Sequence, residues 1–164
     1  MENSNNFQYP LTDEDIHNAV LNFDKKGANI KEDSIIKPNL NIESLFSGRG
    51  HVILFHKWPN QTIGHWYSII RDRHNTVFMM DSLGNSLEYY NKNFVPFLRN
   101  NGIKNIVQNE KKFQSNDTSV CGRYCLVNCI LNKMGLTIDQ IYKFYEKEKK
   151  KYRTYDKVVF NLTK

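Results

Sequence analysis

Apolar residues recur with the period of an α-helix in four segments of the chain, and this pattern predicts four amphipathic helices. In the first, Thr12 is suited to cap a helix whose apolar stripe runs from Ile16 to Phe23, so we expect that helix to end near Asp24. Pro96 interrupts the second stripe, where we expect it to kink or restart the helix. The last three stripes lie in 87–97, 121–134 and 137–145, and a short helical turn is expected at 42–46.

Four shorter runs are rich in apolar residues and have the length of strands. They span 51–55, 66–70, 76–80 and 103–107, and the run 158–160 is expected to form a strand or an extended arm. Only the polar segment 71–75 separates the second run from the third, so these two strands are expected to pair as a hairpin. Their continuous apolar character favours a sheet covered on both faces. Together the elements predict one α+β domain over residues 1–164.

Composition and charge narrow the class of protein. The chain has 164 residues, of which 40% are hydrophobic, so a packed core is expected. It contains no apolar run of about 18 residues, and residues 2–6 are polar, so we expect no membrane span, no secretory signal and an intracellular protein. The formal net charge is +6, with much of the excess in 143–153. That segment fits contact with DNA or another polyanion as well as it fits a solvated helix face, because Glu146 and Glu148 are interleaved with its basic residues.

The three cysteines follow one another at helical spacing, which excludes a disulfide framework and is a poor pattern for zinc, so no metal is expected. Cys125 and Cys129 lie inside the predicted helix and are expected to be core residues. Cys121 instead opens that helix after a polar loop, with Ser119 or Thr118 as the expected N-cap.

A thiol in the first turn of a helix feels the partial positive charge of the unpaired N–H groups, which favours the nucleophilic thiolate. Gly122 beside Cys121 removes a side chain where a substrate carbonyl would approach. The competing interpretation is that Cys121 is a small buried hydrophobe, as most free cysteines are. A catalytic interpretation therefore requires a base elsewhere in the chain.

His65 and Asp81 supply a base and its partner. His65 begins the second predicted strand and Asp81 follows the third, so hairpin pairing would bring the carboxylate within reach of the imidazole and fix its tautomer. Gln114, seven residues before Cys121, carries an amide that could donate to a developing oxyanion. Each residue taken alone has a structural explanation, whereas the set of four favours a catalytic one.

The order His65, Asp81, Gln114, Cys121, within Gly-His-Trp, Asp-Ser-Leu-Gly and Gln-x6-Cys-Gly-x-Tyr-Cys, resembles the adenain clan of cysteine proteases over roughly residues 50–145. The resemblance implies a small mixed β-sheet packed by helices, with the nucleophile at the start of a buried helix. It implies Cys121 as nucleophile, His65 as base, Asp81 as third member and Gln114 as oxyanion donor. Trp66 resembles the tryptophan that narrows the substrate cleft, so that only small residues, typically glycine, precede the scissile bond.

Because adjacent strand residues point to opposite faces, we expect the Trp66 indole to fold over the cleft edge as a lid on the substrate backbone. The stretch from Gly64 to Cys129 most resembles the maturation proteases of virophages and related viruses. The resemblance therefore implies a monomeric endopeptidase that trims capsid or other virion precursors in the host cytoplasm or viral factory, or inside the virion. No cofactor is expected: a disulfide-linked peptide is disfavoured because no cysteine lies outside the helix, although a non-covalent activator stays open.

Three other functions remain open at this stage. The same chemistry on an isopeptide bond would deconjugate a ubiquitin-like modifier. Acyl transfer to a side chain occurs in bacterial effectors of the same clan. A binding module could keep the fold without catalysis, although the intact set of four residues argues against that reading.

Overall fold

A five-stranded mixed sheet forms the centre of the computed structural model, which describes residues 10–60, 64–109, 111–115 and 119–163. The strands lie side by side in chain order. The three central strands are antiparallel to one another, and each edge strand is parallel to its neighbour. The strands are β1 (Ile30–Glu32), β2 (His51–Lys57), β3 (Gly64–Arg71), β4 (Val77–Met80) and β5 (Ile106–Gln108). The predicted hairpin is confirmed, since β3 and β4 pair with Ser68 opposite Met80.

Helices cover both faces of this sheet, as the continuous apolar strands predicted. They are α1 (Asp13–Leu21), α2 (Ile42–Phe46), α3 (Leu87–Tyr90), α4 (Phe94–Asn100), α5 (Cys121–Lys133), α6 (Ile138–Tyr152) and α7 (Tyr155–Leu162). The first core lies between α2, α3, α4 and one sheet face, where Tyr67 and Ile69 point. On the other face α5 packs on β3, with α1 on one side and α6 and α7 on the other. The chain is thus α+β, as predicted.

Local signals at the helix ends agree with the sequence. Thr12 and Thr137 each form a capping box, with Asp15 and Gln140 respectively, so both helices begin where predicted. Gly135 follows the end of α5 with φ 96°, a backbone conformation that costs glycine little. The short helix predicted at 42–46 is α2.

Helix α5 is buried more completely than a single apolar stripe predicts. From Cys121 to Cys129 every residue except Arg123 is buried, because the helix lies between the sheet and its neighbouring helices. Met134, which we expected to continue the buried stripe, is 65% exposed because it lies past the last turn. A helix buried nearly all round holds its first residue in a fixed place.

Several boundaries differ from the prediction. Helix α1 ends at Leu21, so Phe23 is 57% exposed rather than part of the stripe. The 87–97 segment breaks at 91–93 and restarts as α4, so the predicted restart is found and the predicted kink is not. Pro96 lies in the first turn of α4, where no N–H donor is needed. Strand β5 starts three residues later than predicted, at Ile106.

Two elements were missed outright. The run 158–160 belongs to α7 and is neither a strand nor an arm, because its apolar side chains pack against α5 and α6. Strand β1 and the 3-10 turn that follows it (Asp33–Ile35) lie in a polar stretch that carries no strand pattern. Among the described residues, none of the helices combines the length and apolar character that crossing a bilayer would need.

Gly64→Ala should destabilise the fold, because a β-carbon there would lie 2.3 Å from the His56 carbonyl oxygen and 2.4 Å from the Phe55 ring. We expect a loss of about 1–3 kcal/mol in the free energy of unfolding, measured in urea, as for other overpacked sites. Gly50→Ala is the matched control, since its β-carbon would meet only the Arg71 carbonyl oxygen at 3.4 Å. Equal stability of the two variants would contradict the packing at Gly64.

Candidate active site

A cleft of about 860 Å³ lies at the end of the sheet where β3 begins. Residues 10–13 and strand β1 form one side of it. Phe55 and Trp58 contribute aromatic surface from β2 and the turn after it. The predicted residues Cys121, His65 and Gln114 all line this cleft, with Trp66, Leu83 and Ser119 beside them.

Cys121 is the first residue of α5 and is 6% exposed. Its sulfur accepts a hydrogen bond from the backbone N–H of Trp66 at 3.5 Å. The N-cap is Val120, not the predicted Ser119, while Thr118 lies outside the described residues. Val120 makes no side-chain capping bond, and the thiol lies in the first turn, where backbone N–H groups carry a partial positive charge.

His65 is buried between the thiol and a carboxylate. Its Nε2 donates to Asp81 Oδ1 at 2.5 Å, and the Cys121 side chain is close enough to contribute to its pKa. Burial works against the charged ring, but the interactions with Asp81 and Cys121 outweigh it and raise the pKa of His65 to about 9. At neutral pH the imidazole is therefore an imidazolium, the form that pairs with a thiolate.

The Asp81 carboxylate is fully buried and accepts hydrogen bonds from several directions. Besides His65, the Tyr90 hydroxyl donates to Oδ2 at 2.5 Å. The backbone N–H of Asn85 donates to the same oxygen at 2.9 Å, and that of Leu83 donates to Oδ1 at 3.3 Å. These donors stabilise the ionised form in a place where water cannot.

Asn109 fixes the backbone of Asp81 from the neighbouring strand. Its side chain accepts from the Asp81 N–H at 2.7 Å and donates to the Asp81 carbonyl at 2.6 Å. Because β4 and β5 are parallel, the residues that follow them meet at the same edge of the sheet. Sequence reasoning missed Asn109, because β5 was placed three residues too early and no register could be assigned.

Gln114 is held by the residue that follows Asp81. The hydroxyl of Ser82 donates to Gln114 Oε1 at 2.7 Å. The Ser82 carbonyl accepts from the backbone N–H groups of Phe113 and Gln114, each at 2.8 Å. The Oε1 atom is bonded to Ser82, and the Gln114 side chain, which also carries the amide nitrogen, lines the cleft. An N–H donor is the group that an oxyanion requires.

Trp66 differs from the predicted lid. The indole is only 7% exposed, its Nε1 donates to the Leu11 carbonyl at 3.1 Å, and its ring packs against Phe55 with centroids 4.7 Å apart. It therefore forms part of the cleft wall beneath Leu11 instead of folding over the edge. The chain before α1 covers it, a packing that no local pattern predicts.

The position of Gly122 also differs from the expected one. It does not line the cleft, and a β-carbon there would lie 3.2 Å from Leu11 Cβ and 3.4 Å from Trp66 Cδ1. The glycine therefore permits close packing of α5 against the cleft wall and α1, rather than the approach of a substrate carbonyl. The predicted contact with substrate is not supported by its position.

The other histidines lie away from the thiol. His51 is buried at the far end of β2, where burial lowers its pKa to about 4. His56 bonds through Nδ1 to Asp33 at 2.7 Å. His17 packs beneath Gly27 and His74 is exposed in the hairpin turn. Of the five, His65 is the one that lines the cleft.

Cys125 and Cys129 are core residues, as expected. Both are 2% exposed. Burial raises the pKa of the Cys125 thiol well above its usual range and that of Cys129 to about 11. Neither thiol forms the thiolate readily at neutral pH.

Within the described ranges, no three His, Cys, Asp or Glu side chains converge as metal ligands would. The sequence matches no protein-family model and no curated protein.

Cys121 should react with iodoacetamide well before the other two cysteines in the folded protein, because it alone lines the cleft beside an imidazolium. Peptide mapping by mass spectrometry at pH 7.5 would measure the three rates, and we expect a difference of at least about tenfold. His65→Ala should slow labelling of Cys121 and leave Cys125 and Cys129 unchanged. Equal labelling of all three residues would contradict this environment.

His65 should stabilise the fold most at neutral and acidic pH. Its folded pKa, about 9, lies above the usual value of 6.5, so the folded protein binds a proton that the unfolded chain releases. This stabilisation is fully present below pH 6.5 and is lost as the pH rises through 9. Urea unfolding of wild type and His65→Gln should give a stability difference that shrinks across that window; a constant difference would contradict the raised pKa.

Proposed function

We propose that this chain is a cysteine endopeptidase with an adenain-like fold. One observation carries the proposal: the Cys121 thiol, the His65–Asp81 pair and the Gln114 amide meet at one cleft, with Cys121 at the start of a buried helix. The order of these residues along the chain is that of the clan, and the mixed sheet with helices on both faces is compatible with it.

Acylation uses the ion pair of the Cys121 thiolate and the His65 imidazolium. The Cys121 thiolate attacks the peptide carbonyl carbon, a sulfur–carbon bond forms, and the carbonyl electron pair moves to oxygen. The Gln114 amide and the backbone N–H of Cys121 donate to that oxyanion. When the tetrahedral intermediate collapses, the carbon–nitrogen bond breaks and His65 gives its proton to the leaving amine.

Deacylation reverses the role of the histidine. His65, now neutral, takes a proton from a water molecule as the water oxygen bonds to the acyl carbon. The same donors hold the second oxyanion. The sulfur–carbon bond then breaks, the acid product leaves, and the thiolate and imidazolium are regenerated. Throughout, Asp81 keeps the imidazole oriented through Nε2 and stabilises its charge.

For the substrate we propose virion precursor proteins, capsid proteins among them, cut after small residues such as glycine. The support is the resemblance of the Gly-His-Trp and Asp-Ser-Leu-Gly motifs, together with the wall that Trp66 and Leu11 build beside the thiol. An enzyme with such substrates would act in the host cytoplasm, the viral factory or the virion. Lys143, Lys147 and Lys150 are exposed on α6 and are the groups that we would expect to contact DNA.

The purified protein should cleave peptides of a glycine-rich library. Variants of the four site residues should then show which role each residue has in the reaction. We expect Cys121→Ala to abolish turnover and His65→Ala to cost nearly as much, because members of one catalytic unit are non-additive. Gln114→Ala should lower kcat by about 10²–10³, the scale for one oxyanion donor, and Asp81→Asn should be intermediate. His74→Ala, in the exposed hairpin turn, is the matched control and should keep full activity.

The library also tests specificity, since cleavage should follow Gly, or Ala at most. Efficient cleavage after Phe, Leu or Arg would overturn the proposed selectivity, and full activity of Cys121→Ala would overturn the proposed function. A linear capsid-derived peptide and an isopeptide-linked modifier conjugate, assayed side by side, separate endopeptidase from deconjugating activity. Transfer of an acyl group to a lysine peptide, without hydrolysis, would indicate the acyltransferase alternative.

A further inference from the structure

Tyr90 lies at the end of α3, with its hydroxyl against the buried carboxylate. The hydroxyl donates to Asp81 Oδ2 at 2.5 Å and accepts from the Asn85 side-chain amide at 3.1 Å. His65 holds the other oxygen of the same carboxylate. Each oxygen of Asp81 thus has one side-chain partner, His65 on Oδ1 and Tyr90 on Oδ2, besides one backbone N–H donor.

The ring of Tyr90 contacts the imidazole as well. Its centroid lies 5.6 Å from that of His65 with an angle of 20° between the planes, so the two rings are close to parallel. Trp58 completes a triangle, with its centroid 6.4 Å from His65 and 6.2 Å from Tyr90. One side chain therefore touches both members of the His65–Asp81 pair, through a hydroxyl and through a ring face.

A second buried carboxylate, Asp33, is connected to Tyr90 through Tyr67. Tyr67 stacks on Tyr90 with centroids 4.4 Å apart and 16° between the planes. The Tyr67 hydroxyl donates to Asp33 at 2.9 Å, and His56 bonds to the same carboxylate oxygen. The Asn91 amide donates to the Asp33 carbonyl at 2.8 Å and so ties the end of α3 to this group.

The group of His56, Asp33 and Tyr67 lies beside the group of His65, Asp81 and Tyr90, because His56 and His65 are paired residues of β2 and β3. Each consists of a histidine, an aspartate and a tyrosine, and the two tyrosines stack between them. Only His65 lines the cleft. The Asp33 group lies outside the cleft, and Tyr90 is the side chain that lies between it and the reactive pair.

We propose that Tyr90 is a positioning residue of the active site, which holds Asp81 and His65 in the orientation that directs the imidazole at Cys121. The terminal torsion of an aspartate is broad, so a carboxylate held at one oxygen alone can swing. The Tyr90 hydroxyl adds a second and shorter charge-assisted bond at Oδ2, beside that from the Asn85 N–H, and so restricts this torsion further. The catalytic consequence rests on the proposed function, whereas the positioning itself does not.

The test is Tyr90→Phe, which removes the hydroxyl and keeps the ring stack. Tyr67→Phe is the matched control, since it deletes an equally buried hydroxyl that donates to a carboxylate outside the cleft. Tyr89→Phe, at the 59% exposed neighbour, is the second control. We expect Tyr90→Phe to lower kcat by about tenfold or more, with KM changed less than twofold, the effect of one bond to a charged group. Both controls should stay within about twofold of wild type.

A second measurement needs no substrate. The ring proton that His65 shares with Asp81 should resonate far downfield in the proton NMR spectrum and exchange slowly with water. Asp81→Asn should abolish that signal and so assign it. Tyr90→Phe should speed its exchange by about tenfold, because the carboxylate is held less firmly without the phenol, while Tyr67→Phe and Tyr89→Phe should leave it unchanged.

These outcomes keep the two proposals apart. If wild type cleaves no substrate but the proton signal responds only to Tyr90→Phe, the positioning inference stands and the proposed function fails. If wild type is active while Tyr90→Phe keeps its kcat and its proton exchange, the positioning inference fails alone. An equal response of Tyr67→Phe and Tyr90→Phe would also overturn it, because the effect would then belong to the packing of the core.

Discussion

The burial of the Asp81 carboxylate is the constraint on which this end of the molecule depends. Removing an ionised carboxylate from water costs several kcal/mol unless hydrogen bonds replace its hydration. Here the replacements come from β3, from the turn after β4 and from α3, that is from His65, Leu83, Asn85 and Tyr90. The charge can be buried only when all three segments are in place, so forming the site and completing the fold at this edge are the same event.

The residue after Asp81 extends that constraint to Gln114, the proposed oxyanion donor. Ser82 holds Gln114 by its carbonyl and its hydroxyl, so the Asp81 carboxylate and the Gln114 amide are fixed by adjacent residues. Cys121, the proposed nucleophile, is fixed independently, by a helix buried almost all round. Two rigid bodies therefore meet at the cleft: the sheet edge with its carboxylate and the start of α5 with its thiol. The His65 imidazole lies between them, since it donates to Asp81 and lines the cleft together with Cys121.

What the sequence could predict follows from how local each signal is. The short polar link between two apolar runs predicts the hairpin, and the hairpin alone brings His65 to Asp81. The contacts of Asn109 and Tyr90 depend on the register of β5 and on the break before α4, which are set by tertiary packing. The run Val158 to Phe160 has residues typical of a strand, yet packing against α6 makes it helical. Hydrophobic period and residue spacing therefore predicted the candidate site residues His65 and Asp81. Asn109 and Tyr90, which bond to Asp81, were found only in the three-dimensional structure.

The walls of the cleft are built by the sheet and by the chain before α1, and their packing sets which substrates would fit. The sheet side is built by Phe55 packed over Gly64 and against Trp66, in a register that β2 and β3 fix. The opposite side is residues 10–13, which are joined to the sheet side by the bond from the Trp66 indole to the Leu11 carbonyl. They are also continuous with α1, whose Ile16 and Val20 pack against α5. The width of the cleft beside the thiol is therefore set by how α1 docks on the helix that carries Cys121. Gly122 permits that docking, so the glycine after the nucleophile acts on the shape of the site through packing rather than by contact with a substrate.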